Sequence, residues 1–90
     1  MALSNLSSVI RSNYKNTVGD YEITYNVTQD EGKPATEIGA SVRKGEQKFG
    51  YIGISSIGRR SIIMEPGISD EEAKQICSAV IDDAARIFSE

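Results

Sequence analysis

The hydrophobic repeat of this chain changes once, at Pro66-Gly67. Before that dipeptide, apolar residues recur at every second position. After it they recur at three- and four-residue intervals. A period of two belongs to strands with one buried face, and a period near 3.6 to an amphipathic helix. The chain is therefore expected to be α+β, with its strands first and a long helix last.

The helix is the better defined part. Pro66-Gly67 ends the preceding strand. Ser69 then precedes Glu72 by three residues, the spacing of a capping box in which each side chain satisfies a free amide of the first turn. Asp70, Glu71 and Glu72 put negative charge at the positive end of the helix dipole. Ala73, Ile76, Cys77, Val80, Ile81, Ala84 and Phe88 form one apolar stripe. The spacing predicts a helix over about 70–88, within a segment 69–89.

Upstream, Tyr21, Ile23, Tyr25 and Val27 alternate with polar residues. The cluster Asp30-Glu31-Gly32-Lys33-Pro34 marks a turn. Ile38, Ala40 and Val42 alternate next, Gly45 marks another turn, and Gln47–Ser55 is a third strand. Ile57-Gly58 turns the chain into a fourth strand, Arg60–Glu65. Short turns between successive strands imply an antiparallel meander. A single domain spanning 1–90 follows: an N-terminal segment or short helix over 1–18, a four-stranded sheet over 20–65, and the helix on one face (ββββα).

Register decides which side chains share a face. Two-residue turns at Gly45-Glu46 and Ile57-Gly58 would collect Ile38, Ala40, Val42, Phe49, Tyr51, Ile62 and Met64 beneath the helix. Ile52, Ile54 and Ile63 would then share the opposite face. A three-residue turn at Lys44 to Glu46 would instead send Ile52 and Ile54 into the core and expose Phe49 and Tyr51. The two-residue version is preferred because both hairpins then agree. Burial of one isoleucine is worth about 1.5–3 kcal/mol, so Ile52, Ile54 and Ile63 are expected to be covered by a partner. Leu3, Leu6 and Ile10 of a short N-terminal helix are one candidate cover. A second subunit is preferred, since an isolated helix of that length is marginal.

Composition restricts the chemistry. The 90 residues contain no histidine, no tryptophan and one cysteine. Histidine acid–base catalysis, Cys/His zinc sites and intramolecular disulfides are thereby excluded. Cys77 lies on the helix stripe with no histidine to activate it, so it reads as a core residue. The serines lack both a histidine partner and a G-x-S-x-G elbow. Adjacent helical acids such as Asp82-Asp83 diverge, so no metal or other cofactor is expected. Gly50-Tyr51-Ile52-Gly53 matches a G-x-x-G spacing, but inside a strand, where glycines mark close backbone approach or a bulge. No run of about 18 apolar residues occurs, so no membrane span is expected. The lone cysteine and the absence of a basic start with a long apolar stretch suit a cytoplasmic protein.

The net charge of −3 is unevenly spread. Residues 33–60 hold six bases and two acids, whereas residues 66–90 hold two bases and six acids. Arg43, Lys44 and Lys48 flank one hairpin turn, and Arg59 and Arg60 sit at the next. The element order, a meander followed by one helix, is similar to that of the PUR and Whirly single-strand binders, although none of their sequence signatures is present. The reading that follows is a small non-enzymatic protein-interaction module, a homodimer with Ile52, Ile54 and Ile63 as its contact residues. The alternative is a single-stranded nucleic-acid binder using Arg43, Lys44, Lys48, Arg59 and Arg60.

Overall fold

The computed structural model describes residues 14–29 and 32–89. Five strands form one antiparallel sheet in sequence order: β1 (Tyr14–Val18), β2 (Tyr21–Gln29), β3 (Ala35–Lys44), β4 (Gln47–Ser55) and β5 (Arg60–Met64). One helix, α1 (Asp70–Phe88), follows. The α+β class and the antiparallel sheet agree with the sequence reading, but the sheet has a fifth strand. Among the described residues no helix is long and apolar enough to cross a membrane.

The additional strand is β1, at the end of the segment 1–18 expected to be an N-terminal segment or short helix. Val18 pairs with Tyr21 across a tight turn in which Gly19 takes a φ of 58°. Positive φ is nearly free of steric cost only for glycine. The period-two signal of β1 is hidden because its central inward position is Asn16, a polar residue. The candidate lid residues Leu3, Leu6 and Ile10 lie outside the described residues.

The helix begins where the sequence places it. Ser69 Oγ accepts the Glu72 backbone N–H at 3.1 Å, and the Glu72 carboxylate accepts the Ser69 N–H at 3.0 Å. This is the complete capping box. Ile76, Val80, Ala84 and Ile87 are the buried residues of the helix, while Ile81 is 40% exposed. They pack on one sheet face formed by Tyr21, Ile23, Tyr25, Val27, Ile38, Ala40, Val42, Ile52 and Ile54.

The face assignment of β4 differs from expectation. The two-residue turn Gly45-Glu46 is present, with Lys44 opposite Gln47 and Gly45 at a φ of 63°. Two residues later the register shifts: Arg43 opposes Lys48, but Val42 opposes Gly50. Phe49 is the extra residue of a β-bulge, and it reverses parity for the rest of the strand. Ile52 and Ile54 therefore face α1, at 1% and 7% exposure. Tyr51 is sent to the opposite face. The next hairpin also differs. Ser55 and Arg59 close a three-residue loop, Ser56-Ile57-Gly58, with Gly58 at a φ of 94°. This shift cancels the first, so Ile62 and Met64 return to the helix side and Ile63 to the other. The shared patch expected of Ile52, Ile54 and Ile63 is not formed: two belong to the core, and only Ile63 stands outside it.

Candidate interaction surfaces

Among the described residues, the helix covers one face of the sheet and leaves the other open. On the open face Gly39 and Gly53 are paired neighbours. The Tyr51 ring lies over them. A Cβ on Gly39 would stand 3.0 Å from Tyr51 Cζ, and one on Gly53 would stand 3.7 Å from Cε2. Gly39 is thus buried although it belongs to an uncovered face. Beside the ring is a groove of about 290 Å³, bordered by Asn26, Glu37, Arg59 and Ser61. Lys48 Nζ sits 5.7 Å from the Tyr51 ring centroid, within the range of a cation–π contact.

The five basic residues do not converge. Arg43 and Lys48 are register partners on the open face. Lys44 lies on the helix side, with its Nζ 5.7 Å from the Tyr21 ring centroid. Arg59 and Arg60 lie at the other end of β4. Arg59 borders the open-face groove, and Arg60 borders a groove on the helix side with Ile54, Ile81 and Phe88. The open face also carries Glu22 and Glu37, which offset part of its positive charge.

Exposed apolar side chains concentrate elsewhere. Ile57, Ile62 and Ile63 are 81%, 49% and 57% exposed. All three lie on β5 or on the loop leading into it. Among the described residues, strand β5 pairs with β4 on one side only, so its other side is a free edge there. The carbonyl of Arg59 accepts from Ser55 N at 2.9 Å, and Glu65 N donates to the Phe49 carbonyl at 2.8 Å. In an antiparallel ladder the bonding direction alternates along a strand. The odd-numbered residues 59–65 thus face β4, and the backbone groups of Arg60, Ile62 and Met64 point outward. The opposite edge strand, β1, carries Lys15, Asn16 and Thr17 in its middle, the polar and charged composition that discourages pairing. The middle of β5 is Ser61-Ile62-Ile63.

One polar cluster is structural. Asp83 Oδ2 accepts from the Tyr25 hydroxyl at 2.5 Å and from Asn16 Nδ2 at 2.7 Å. Arg86 Nη1 stands 3.6 Å from Oδ1. The two hydrogen bonds fasten α1 to β1 and β2, while the Arg86 pair lies within the helix. Burial, with the adjacent Asp83 carboxylate, pushes the Tyr25 hydroxyl well above the ordinary tyrosine pKa. At the other end of the helix, the Ser69 N–H holds the Glu72 carboxyl below its usual range. Partial burial raises the pKa of the Cys77 thiol, which keeps it protonated and unreactive near neutral pH. Among the described residues no group of histidine, cysteine or carboxylate side chains is placed to hold a metal ion.

Sequence reasoning missed Ile57, Ile62 and Ile81 as exposed apolar residues, and it puts Tyr51 on the open face only in the alternative register that is not preferred. Ile57 did carry a signal, because an isoleucine beside a turn glycine has little chance of burial. Comparison with protein-family models, with curated proteins and with solved structures gives no match. The surfaces are therefore read from their own chemistry.

Proposed function

We propose that this chain is a small non-enzymatic protein-interaction module that self-associates through the β5 edge. The observation that carries this reading is the coincidence of two features at one edge of the described sheet: outward backbone donors and acceptors of β5, and exposed Ile62 and Ile63 on the strand with Ile57 on the loop leading into it. An open, apolar edge is a template for strand addition. Native proteins blunt such edges unless a partner occupies them.

Sedimentation of the wild type across a concentration series tests the reading. A dimer is expected, and Ile62→Lys is expected to give a monomer with an unchanged circular-dichroism spectrum. Ile54→Lys is unsuitable for this purpose, because Ile54 is in the core. A wild type that stays monomeric at every concentration rejects the proposal.

A second reading, single-stranded nucleic-acid binding, is favoured by one observation. The bulge at Phe49 places the Tyr51 ring on the open face beside Lys48, and a base can stack on such a ring. Titration of a single-stranded oligonucleotide at two salt concentrations tests it. Affinity that falls with salt and is lost in Tyr51→Ala supports it. No binding at low salt removes it.

A further inference from the structure

We infer that the occupant of the β5 edge is a second copy of this chain, seated antiparallel about a two-fold axis that passes through Ile62. This rests on the self-association proposed above and specifies its geometry. The outward-facing backbone groups belong to Arg60, Ile62 and Met64, as shown by the inward bonds at Arg59 and Glu65. A two-fold axis at Ile62 sets Ile62 against Ile62 of the partner subunit, and Arg60 against Met64 of the partner subunit. Every outward donor then meets an outward acceptor. Shifting the axis toward either end of β5 leaves part of this row unpaired or brings in Pro66, which has no N–H to donate.

Side-chain charge selects the same register. Arg59 and Glu65 both lie on the open face, at opposite ends of the strand. With the axis at Ile62, Arg59 stands across from Glu65 of the partner subunit, and Glu65 across from Arg59 of the partner subunit. Opposite charges directly across an antiparallel pair stabilise it, and like charges destabilise it. On the same face Ile63 meets Ser61 of the partner subunit. On the helix side the paired Ile62 side chains meet between the two copies, giving Ile62 the cover that α1 does not provide.

The test is a charge-reversal cycle on the full chain, read by sedimentation velocity across a concentration series. Both side chains are exposed, so the fold is expected to survive, and circular dichroism checks this. Arg59→Glu and Glu65→Arg should each weaken the dimer by about tenfold or more, because each converts two attractive pairs into two repulsive ones. The double variant Arg59→Glu/Glu65→Arg should recover wild-type affinity to within about threefold, since the attraction is restored with its sign exchanged. A wild-type dimer that is insensitive to either reversal, or a double variant that does not recover, overturns this register while leaving self-association intact. A wild type that is monomeric at every concentration overturns both.

Discussion

Tyr51 lies over Gly39 on the uncovered face of the sheet, and the absence of a Cβ at position 39 is what allows it. Its Cζ would stand 3.0 Å from that Cβ. Gly50 is under a different constraint. A Cβ there would meet the backbone carbonyl oxygen of Ile63 at 2.8 Å and Met64 Sδ at 2.9 Å.

These two glycines should therefore respond differently to alanine. In Gly39→Ala the ring can swing away about its side-chain bonds, and the loss of contact is partly offset by the lower entropy of the unfolded chain, worth about 0.4–1 kcal/mol. In Gly50→Ala the obstacle is backbone held in the ladder, so overpacking should cost about 1–3 kcal/mol. Urea denaturation of both variants checks the order. Equal destabilisation would contradict it. Iodide quenching of tyrosine fluorescence should rise in Gly39→Ala.

The Tyr25–Asp83 bond predicts both a mutational and a pH effect. Tyr25→Phe removes a donor from a partly buried carboxylate, which should cost about 1.5–3 kcal/mol. Because the folded-state pKa of Tyr25 is raised, its contribution is complete below the ordinary value of 10.0 and is lost as pH rises above it. Wild-type stability should thus fall above about pH 10, and the fall should be shallower in Tyr25→Phe. Denaturant melts from pH 8 to 11 measure both. An unchanged slope would assign the alkaline loss to other groups.

At the helix start, Ser69→Ala removes the acceptor of the Glu72 N–H. The expected loss is about 0.5–2 kcal/mol, read as a lower thermal midpoint. The folded-state pKa of Glu72 is lowered chiefly by its bond from the Ser69 N–H. Its contribution is present above the ordinary value of 4.5 and is lost as pH falls below it. Glu72→Gln should flatten that acid limb in the same melts.

Val80 is fully buried between α1 and the sheet. Val80→Asp places an unpaired carboxylate there, at a cost of several kcal/mol. Small domains are stable by only about 5–15 kcal/mol. The variant should lose its cooperative melt by circular dichroism at neutral pH. Retention of the wild-type midpoint would remove Val80 from the core.

The elements that local chemistry specifies were legible in the residues. The capping box and the acidic first turn locate the start of α1 at Asp70, and Pro66-Gly67 separates it from the sheet. Alternation over Tyr21–Val27 and Ile38–Val42 identifies β2 and β3 and the face each buries, because nothing in either segment interrupts the pleat. Strand β1 was hidden because Asn16 occupies an inward position, and its reason for being there is Asp83, 67 residues away in sequence. Face assignment in β4 was decided by packing. A bulge costs little locally, and no residue type announces it unambiguously. Its gain is global, since shifting the strand by one residue moves Ile52 and Ile54 under the helix and lets Phe49 pack edge-on against Tyr21 with ring centroids 5.6 Å apart. The same shift sends Tyr51 to the open face. The exposure of β5 is also a tertiary outcome: among the described residues, parity sends Ile63 to the face away from α1, and the placement of α1, which packs mainly on β1, β3 and β4, leaves Ile62 half-exposed on the helix side.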